Sequence, residues 1–132
     1  MIKSNSIIKL FCCICIFTIC INSSFAQKFY VTSSLKEVPE NFTFDISFTV
    51  ENGNLDKFTP PNFNGFDVYG PSQSQNISII NGNVSKSFSY TYTLQPKKQG
   101  SFTINPANAV INGKTFSTQP IAIKVIAPQQ KQ

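Results

Sequence analysis

The stretch VSKSFSYTYTLQPKKQGSFTI, residues 84–104, decides the fold class. In its first half the apolar side chains fall on one parity, with small serines and threonines between them. The apolar positions are Val84, Phe88, Tyr90, Tyr92 and Leu94. This two-residue period is typical of a β-strand with one face buried and one face in water. Residues 96–100 predict a turn, and the alternation that resumes at residues 101–104 predicts the next strand.

A second run, residues 42–50, has the clearest strand pattern in the chain. Phenylalanine, isoleucine and valine occupy its even positions, and polar residues occupy the odd ones. The Asn-Gly-Asn sequence at 52–54 predicts a tight turn after it. Upstream, residues 29–35 predict a first strand at a sheet edge, and residues 38–41 predict a turn.

Residues 55–72 contain three prolines and two glycines, which argue against a long regular element and leave a short strand at 66–69. Residues 75–80 alternate again through Ile77 and Ile79. Asn81-Gly82 and Asn112-Gly113 are strong hairpin signals. Ile121, Ile123 and Val125 predict a closing strand.

These segments amount to about eight short strands, 8–12 residues apart, and no window has the 3.6-residue period of a helix. The sequence therefore predicts an all-β fold, an antiparallel immunoglobulin-like β-sandwich of about seven to eight strands.

The N-terminus is typical of a secretory signal peptide, residues 1–26. Lys3 and Lys9 precede an apolar run at residues 10–21, and small residues precede a cleavage site at Gln27. All four cysteines fall inside this segment, so the exported chain is expected to contain no disulfide. A retained anchor is the alternative, although the run is short for a membrane helix. Lipidation at Cys20 is a further alternative, disfavoured by the bulky Ile19 before it.

The remaining chain fits one β-sandwich domain, residues 27–127, followed by a polar tail, residues 128–132. It has nine lysines against six acidic residues, so its net charge is about +3, and it has no arginine. Arginine makes the bidentate contacts that read bases and phosphates. We therefore expect no nucleic-acid partner, and no membrane span after signal cleavage.

The residue inventory argues against catalysis. After the signal segment there is no histidine or cysteine, and the six carboxylates are scattered along the chain. We expect no enzyme activity, no cofactor and no metal site. Two alternatives stay open: a glycosidase that uses two facing carboxylates, and a calcium site at residues 52–54 with Asp56.

Residues 58–71 carry more aromatic side chains than an ordinary loop. Candidate partner-binding residues are Phe58, Phe63, Phe66 and Tyr69, which could form an exposed apolar patch. The alternative is that these rings close one end of the sandwich.

The order of these segments resembles the N-terminal domain of the BatD (oxygen tolerance) family of exported bacterial proteins. The resemblance is carried by a series of motifs: residues 42–50, 60–63 with Phe66, 70–71, 79–82, 90–100 and 110–116. It implies a periplasmic, membrane-associated protein that works with von Willebrand-type Bat proteins, encoded beside an AAA+ ATPase of the MoxR type.

BatD proteins usually continue to a transmembrane helix, whereas this chain ends after what looks like the first domain. A truncated or split gene product and a free-standing module are both open. We expect a non-catalytic exported module that acts by protein–protein contact in a Bat-type aerotolerance and envelope-stress system. The alternative is a secreted or surface adhesion module that binds a glycan or protein through residues 58–69.

Overall fold

The computed structural model describes residues 26–130, and this part of the chain is all-β with ten strands and no helix. In chain order they are β1 Lys28–Ser33, β2 Glu37–Pro39, β3 Phe44–Glu51, β4 Leu55–Thr59, β5 Phe66–Ile80, β6 Asn83–Pro96, β7 Gly100–Ile104, β8 Asn108–Ile111, β9 Lys114–Ser117 and β10 Ile121–Ile126. The predicted signal peptide lies outside the described residues apart from Ala26. The all-β prediction is confirmed.

The strands form three sheets. The largest has the order β1-β3-β6-β5, and the two smaller ones are β2-β10-β7 and β4-β8-β9. Every pairing is antiparallel except that of β2 with β10, which is parallel. The chain moves from the large sheet to the β2-β10-β7 sheet at residues 34–36, between β1 and β2.

The core lies between the large sheet and the two smaller sheets. Phe44, Ile46 and Phe48 of β3 pack with side chains of β2, β7 and β10 in one cluster. A smaller cluster joins Val50 of β3 to β8, through Ala109 and Ile111. This arrangement is compatible with a β-sandwich, while the immunoglobulin-like detail stays a prediction.

The alternating patterns of β3 and β6 explain their place at the centre of the large sheet. Their apolar residues face the core, and Leu94 and Ile46 are completely buried. On the other face, hydroxyl and carboxylate side chains pair across the two strands. These hydrogen bonds join Thr93 Oγ1 to Asp45 Oδ1 at 2.6 Å, Ser47 to Thr91 at 2.8 Å and Thr49 to Ser89 at 2.9 Å. Ser89, Thr91 and Thr93 thus stabilise the pairing of β3 with β6.

Two predictions near the N-terminus are wrong. The first strand ends at Ser33, and Leu35 is largely exposed. The predicted turn at 38–41 begins in fact after β2, whose Val38 is completely buried against the core. Pro39 is tolerated there because β2 is an outer strand, where a missing backbone N–H breaks no ladder hydrogen bond.

The prediction of no long element in residues 55–72 is also wrong. β5 continues through Gly70 and Pro71 and reaches Ile80. The register of the pairing with β6 shifts between Tyr69 and Ser72, and the resulting β-bulge contains Gly70 and Pro71. Gly70 has a φ of 104°, and a Cβ there would lie 3.1 Å from the backbone oxygen of Thr91, so a larger residue would be strained.

Both Asn-Gly hairpins are confirmed. Asn81 and Gly82 have φ values of 52° and 78°, and Asn112 and Gly113 have values of 48° and 77°, as a two-residue turn with two positive φ angles requires. The count of seven to eight strands is too low, because β2 and β4 are short strands within segments that the sequence pattern assigns to turn or loop. The side chain of Asn41 makes two hydrogen bonds with the backbone of Gln129 in the C-terminal tail. Asn41 Nδ2 donates to the Gln129 carbonyl at 2.8 Å, and the Gln129 N–H donates to Asn41 Oδ1 at 3.1 Å.

Candidate protein-binding arm

The hairpin of β5 and β6 extends beyond the rest of its sheet. The last residue of β3, Glu51, lies opposite Ser87, and Ser87 lies opposite Asn76. Past this row β5 and β6 pair with each other up to the turn at Asn81-Gly82, and one further hydrogen bond, from the Asn52 N–H to the Lys86 carbonyl, joins the base of the hairpin to the chain after β3. We call residues 77–86 the arm. A two-stranded ribbon of this kind has no second layer to cover it.

One face of the arm is apolar and exposed. Ile77 lies opposite Lys86, and Ile79 lies opposite Val84, so these four side chains share a face. It continues the core-facing side of β6, where Phe88, Tyr90, Tyr92 and Leu94 lie. Ile77, Ile79 and Val84 are 55%, 69% and 48% exposed. The alternation that places Leu94 in the core therefore continues into the arm, where the side chains of the same face are exposed to solvent.

A pocket of about 390 Å³ opens where the arm meets the sandwich. Three of its lining side chains are aromatic. The rings of Phe58 and Tyr90 stack, with centroids 4.5 Å apart, and Phe88 meets Tyr90 edge-on at 5.0 Å. A second cavity of about 480 Å³ borders Val84 and Lys86 of the arm. The apolar face of the arm is therefore continuous with a concave, partly aromatic surface.

The charge around this pocket is positive. Lys57 and Lys86 line it, and neither forms an ion pair within residues 26–130. Its acidic lining residue, Asp56, accepts a hydrogen bond from the backbone N–H of Gly113 at 2.9 Å. We call the arm's apolar face and this pocket together the arm surface. A ligand with apolar side chains and a carboxylate would complement it.

Comparison with known proteins gives a family. The model of the BatD DUF11 like domain matches residues 31–125, which is more than half of the chain and includes the whole arm. The chain belongs to the BatD family. Searches of curated proteins and of solved structures give no match.

The structure accounts for three of the four predicted partner-binding residues of this BatD domain by packing. Phe66 is buried against Phe44 and Phe102. Phe58 and Phe63 are partly buried and contact the ring of Phe48. These three rings pack within the sandwich, and Phe58 also lines the pocket of the arm surface; partner binding through the four residues stays a prediction. Tyr69 lies apart from them and is 56% exposed.

The residues of the calcium alternative form a turn-to-turn contact. The Asn112 N–H donates to the Asn54 carbonyl at 3.0 Å, and the side-chain oxygen of Asn112 accepts a hydrogen bond from the Asn54 N–H at 3.1 Å. No group of three or more acidic, histidine or cysteine side chains with metal-site spacing occurs in the described part of the chain. These hydrogen bonds explain the asparagines as turn residues.

Two tyrosines have raised pKa values. The hydrogen bond from the Tyr30 hydroxyl to Glu51 Oε1, 2.8 Å long, is the main cause of the raised pKa of Tyr30. Burial raises the pKa of Tyr92, and the nearby Tyr90 adds to it. Both side chains therefore stay protonated to higher pH in the folded state.

The arm surface is what sequence reasoning missed. The alternation through Ile77, Ile79 and Val84 predicts burial, whereas all three are exposed. A signal was available in the lengths of the segments. The alternating pattern of residues 42–50 stops at an Asn-Gly turn, too early to cover a hairpin that continues to Asn81-Gly82.

Proposed function

We propose that this BatD-family domain is a non-catalytic, exported module that acts by protein–protein contact in a Bat-type aerotolerance and envelope-stress system. Its partners would be von Willebrand-type Bat proteins, as the family resemblance implies. Domains of this family are generally extracytoplasmic, which supports a periplasmic or secreted location. The described residues contain no helix long and apolar enough to span a membrane.

The arm surface is the observation that carries this proposal. Three aliphatic side chains, Ile77, Ile79 and Val84, are held on one face by the hairpin's own register and are left in water. An exposed apolar surface with a polar surround is typical of a protein-binding site. Because it lies on a β-ribbon instead of a loop, its side chains are ordered before a partner binds, which lowers the entropy cost of association.

The positive charge of the arm surface indicates which kinds of residue its partner should present. Lys57 and Lys86 flank the aromatic pocket without an ion-pair partner in residues 26–130. We therefore propose that the Bat partner presents an apolar segment with at least one aspartate or glutamate. Attraction of this kind speeds association and weakens as salt is added.

The arm offers a matched pair of variants to test this. Ile79 and Ile80 are neighbours with nearly equal exposure, 69% and 67%, but they lie on opposite faces of the ribbon. The full chain would be expressed with its von Willebrand-type Bat proteins, and partner recovery would be measured after affinity capture. Ile79→Ser should lower recovery at least tenfold, and Ile80→Ser should leave it within twofold. Equal recovery with both variants would refute the assignment of the arm's apolar face.

A further inference from the structure

The outer edge of β5 has unpaired backbone groups over its last nine residues. β5 is the terminal strand of the large sheet, and β6 is the only strand in residues 26–130 with which it makes more than isolated contacts. Residues 72–80, SQSQNISII, contain no charge and no proline. At about 3.4 Å per residue this edge is about 30 Å long.

The hydrogen bonds identify which residues face outward. The Asn52 N–H donates to the Lys86 carbonyl at 2.9 Å, so Lys86 points toward the β3 side of β6. Its neighbours Ser85 and Ser87 therefore point toward β5, where they lie opposite Ser78 and Asn76. Since successive residues of a strand point in opposite directions, the outward N–H and C=O groups belong to the odd positions. These are Gln73, Gln75, Ile77 and Ile79.

Most other outer strands are short and charged. β1 has Lys28, β2 has Glu37, β4 has Asp56 and Lys57, and β9 has Lys114, and none of them exceeds six residues. β7 is uncharged but has only five residues. Charges, prolines and short length are the usual means by which proteins prevent edge-to-edge pairing. The β5 edge has none of these over residues 72–80.

We propose that two copies of this chain pair through their β5 edges, antiparallel, into one continuous sheet of eight strands. Identical strands that pair in this way are related by a two-fold axis perpendicular to the sheet, so odd residues lie opposite odd residues. A register centred on Asn76 uses the whole edge. It pairs Gln75 with Ile77 and Gln73 with Ile79 of the second copy, which matches all four outward residues in each chain.

The occupant is a second copy because the edge is complementary to itself. With no charge in residues 72–80, no like charges lie opposite each other when identical strands pair. The same register places Ile77 of the second copy beside Gln75, which lines the aromatic pocket. The axis also leaves the apolar faces of both arms on the same side of the joined sheet.

This pairing and the proposed partner contact use different groups of the same strand. The pairing uses the edge of β5, whereas the partner contact uses the apolar face of the arm. The Ile79→Ser variant changes the face while keeping the backbone groups of the edge.

Gln75→Pro tests the pairing directly. The lost N–H is one that points outward, so the ladder with β6 is kept, and proline is accepted at such positions of outer strands. Gln75→Lys is a second variant, which places two like charges close to the two-fold axis. Thr32→Lys is the control, because it adds the same charge to exposed β1 at the other side of the sheet.

The mass of the full chain, recovered from the extracytoplasmic fraction of expressing cells, would be measured by sedimentation over a dilution series. We expect the mass of a dimer for the unchanged protein and for Thr32→Lys, and the mass of a monomer for both Gln75 variants. The unfolding midpoints of the variants should lie close to that of the unchanged protein, which shows that they are folded. A monomer at every concentration, a dimer that persists in both Gln75 variants, or equal loss in Thr32→Lys would each overturn the proposal.

Discussion

Phe63 and Tyr69 are aromatic residues of one segment with opposite environments. The Phe63 ring contacts those of Phe48 and Tyr92, at centroid distances of 6.4 and 5.1 Å, whereas Tyr69 is 56% exposed. Phe63→Ala should lower the free energy of unfolding by about 3 kcal/mol, the low end for a buried phenylalanine because this ring is only partly buried. Tyr69→Ala should change it by less than about 0.5 kcal/mol. Urea unfolding of both variants measures this, and equal effects would contradict the packing described for Phe63.

The two tyrosines with raised pKa values predict a loss of stability in alkali. In the unfolded chain a tyrosine ionises near its usual pKa of 10.0. The folded state keeps the protons of Tyr30 and Tyr92 to higher pH, so the unfolded state releases protons first and is favoured as the pH rises. The contribution is complete below pH 10 and is lost as the pH rises through the folded-state pKa values.

Tyr92→Phe should remove part of this dependence. The free energy of unfolding, measured by urea titration at several pH values between about 8 and 11, should fall less steeply for the variant than for the unchanged protein. A steeper fall in the variant would contradict the burial of a neutral Tyr92.

At the scale of elements, we expect the arm to open separately from the core. Gly82 has a φ of 78° at the tip, and nothing lies near the position of a Cβ. Gly82→Ala therefore adds only backbone strain, about 1–2 kcal/mol. Because residues 77–85 pair only within the hairpin, hydrogen exchange of the arm's amides should speed up about 5–30-fold. The unfolding midpoint of the domain should stay nearly constant, as in the control Ser85→Ala. A large drop in this midpoint would show that the arm contributes to the core.

The elements that could be predicted well are those whose sequence patterns depend on local structure, such as alternation in a strand or positive φ angles in a turn. β3 and β6 alternate because one face is buried, and Asn81-Gly82 and Asn112-Gly113 turn because those residues accept positive φ. β2 and the full length of β5 were missed, since parallel pairing of β2 and a bulge at residues 69–72 depend on distant strands. Burial along residues 77–84 could not be predicted from alternation alone, because alternation shows which side chains share a face and not whether a second layer covers it.

For the whole molecule, the family and the fold class could be predicted from the sequence, whereas only Phe58 of the candidate site could be. Two of the motifs that carry the BatD resemblance, residues 42–50 and 90–100, lie largely in β3 and β6, the central strands of the large sheet. Of the predicted site residues, Phe63 and Phe66 pack between the layers, and Phe58 packs there while also lining the pocket of the arm surface. Partner binding through these residues stays a prediction. The arm surface arises because β5 and β6 are longer than β3, so that their ends extend past Glu51 when the three strands are aligned in one sheet.

The central claim, that the apolar face of the arm contacts a von Willebrand-type Bat protein, is tested most directly by site-specific photo-crosslinking in cells. A photoreactive amino acid would replace Ile79, Ile80 or Tyr69 in turn in the full chain. We predict a crosslink to a von Willebrand-type Bat protein from position 79, and little or none from positions 80 and 69. A crosslink from position 69 with none from position 79 would contradict the claim and would place the contact on the segment of residues 58–69.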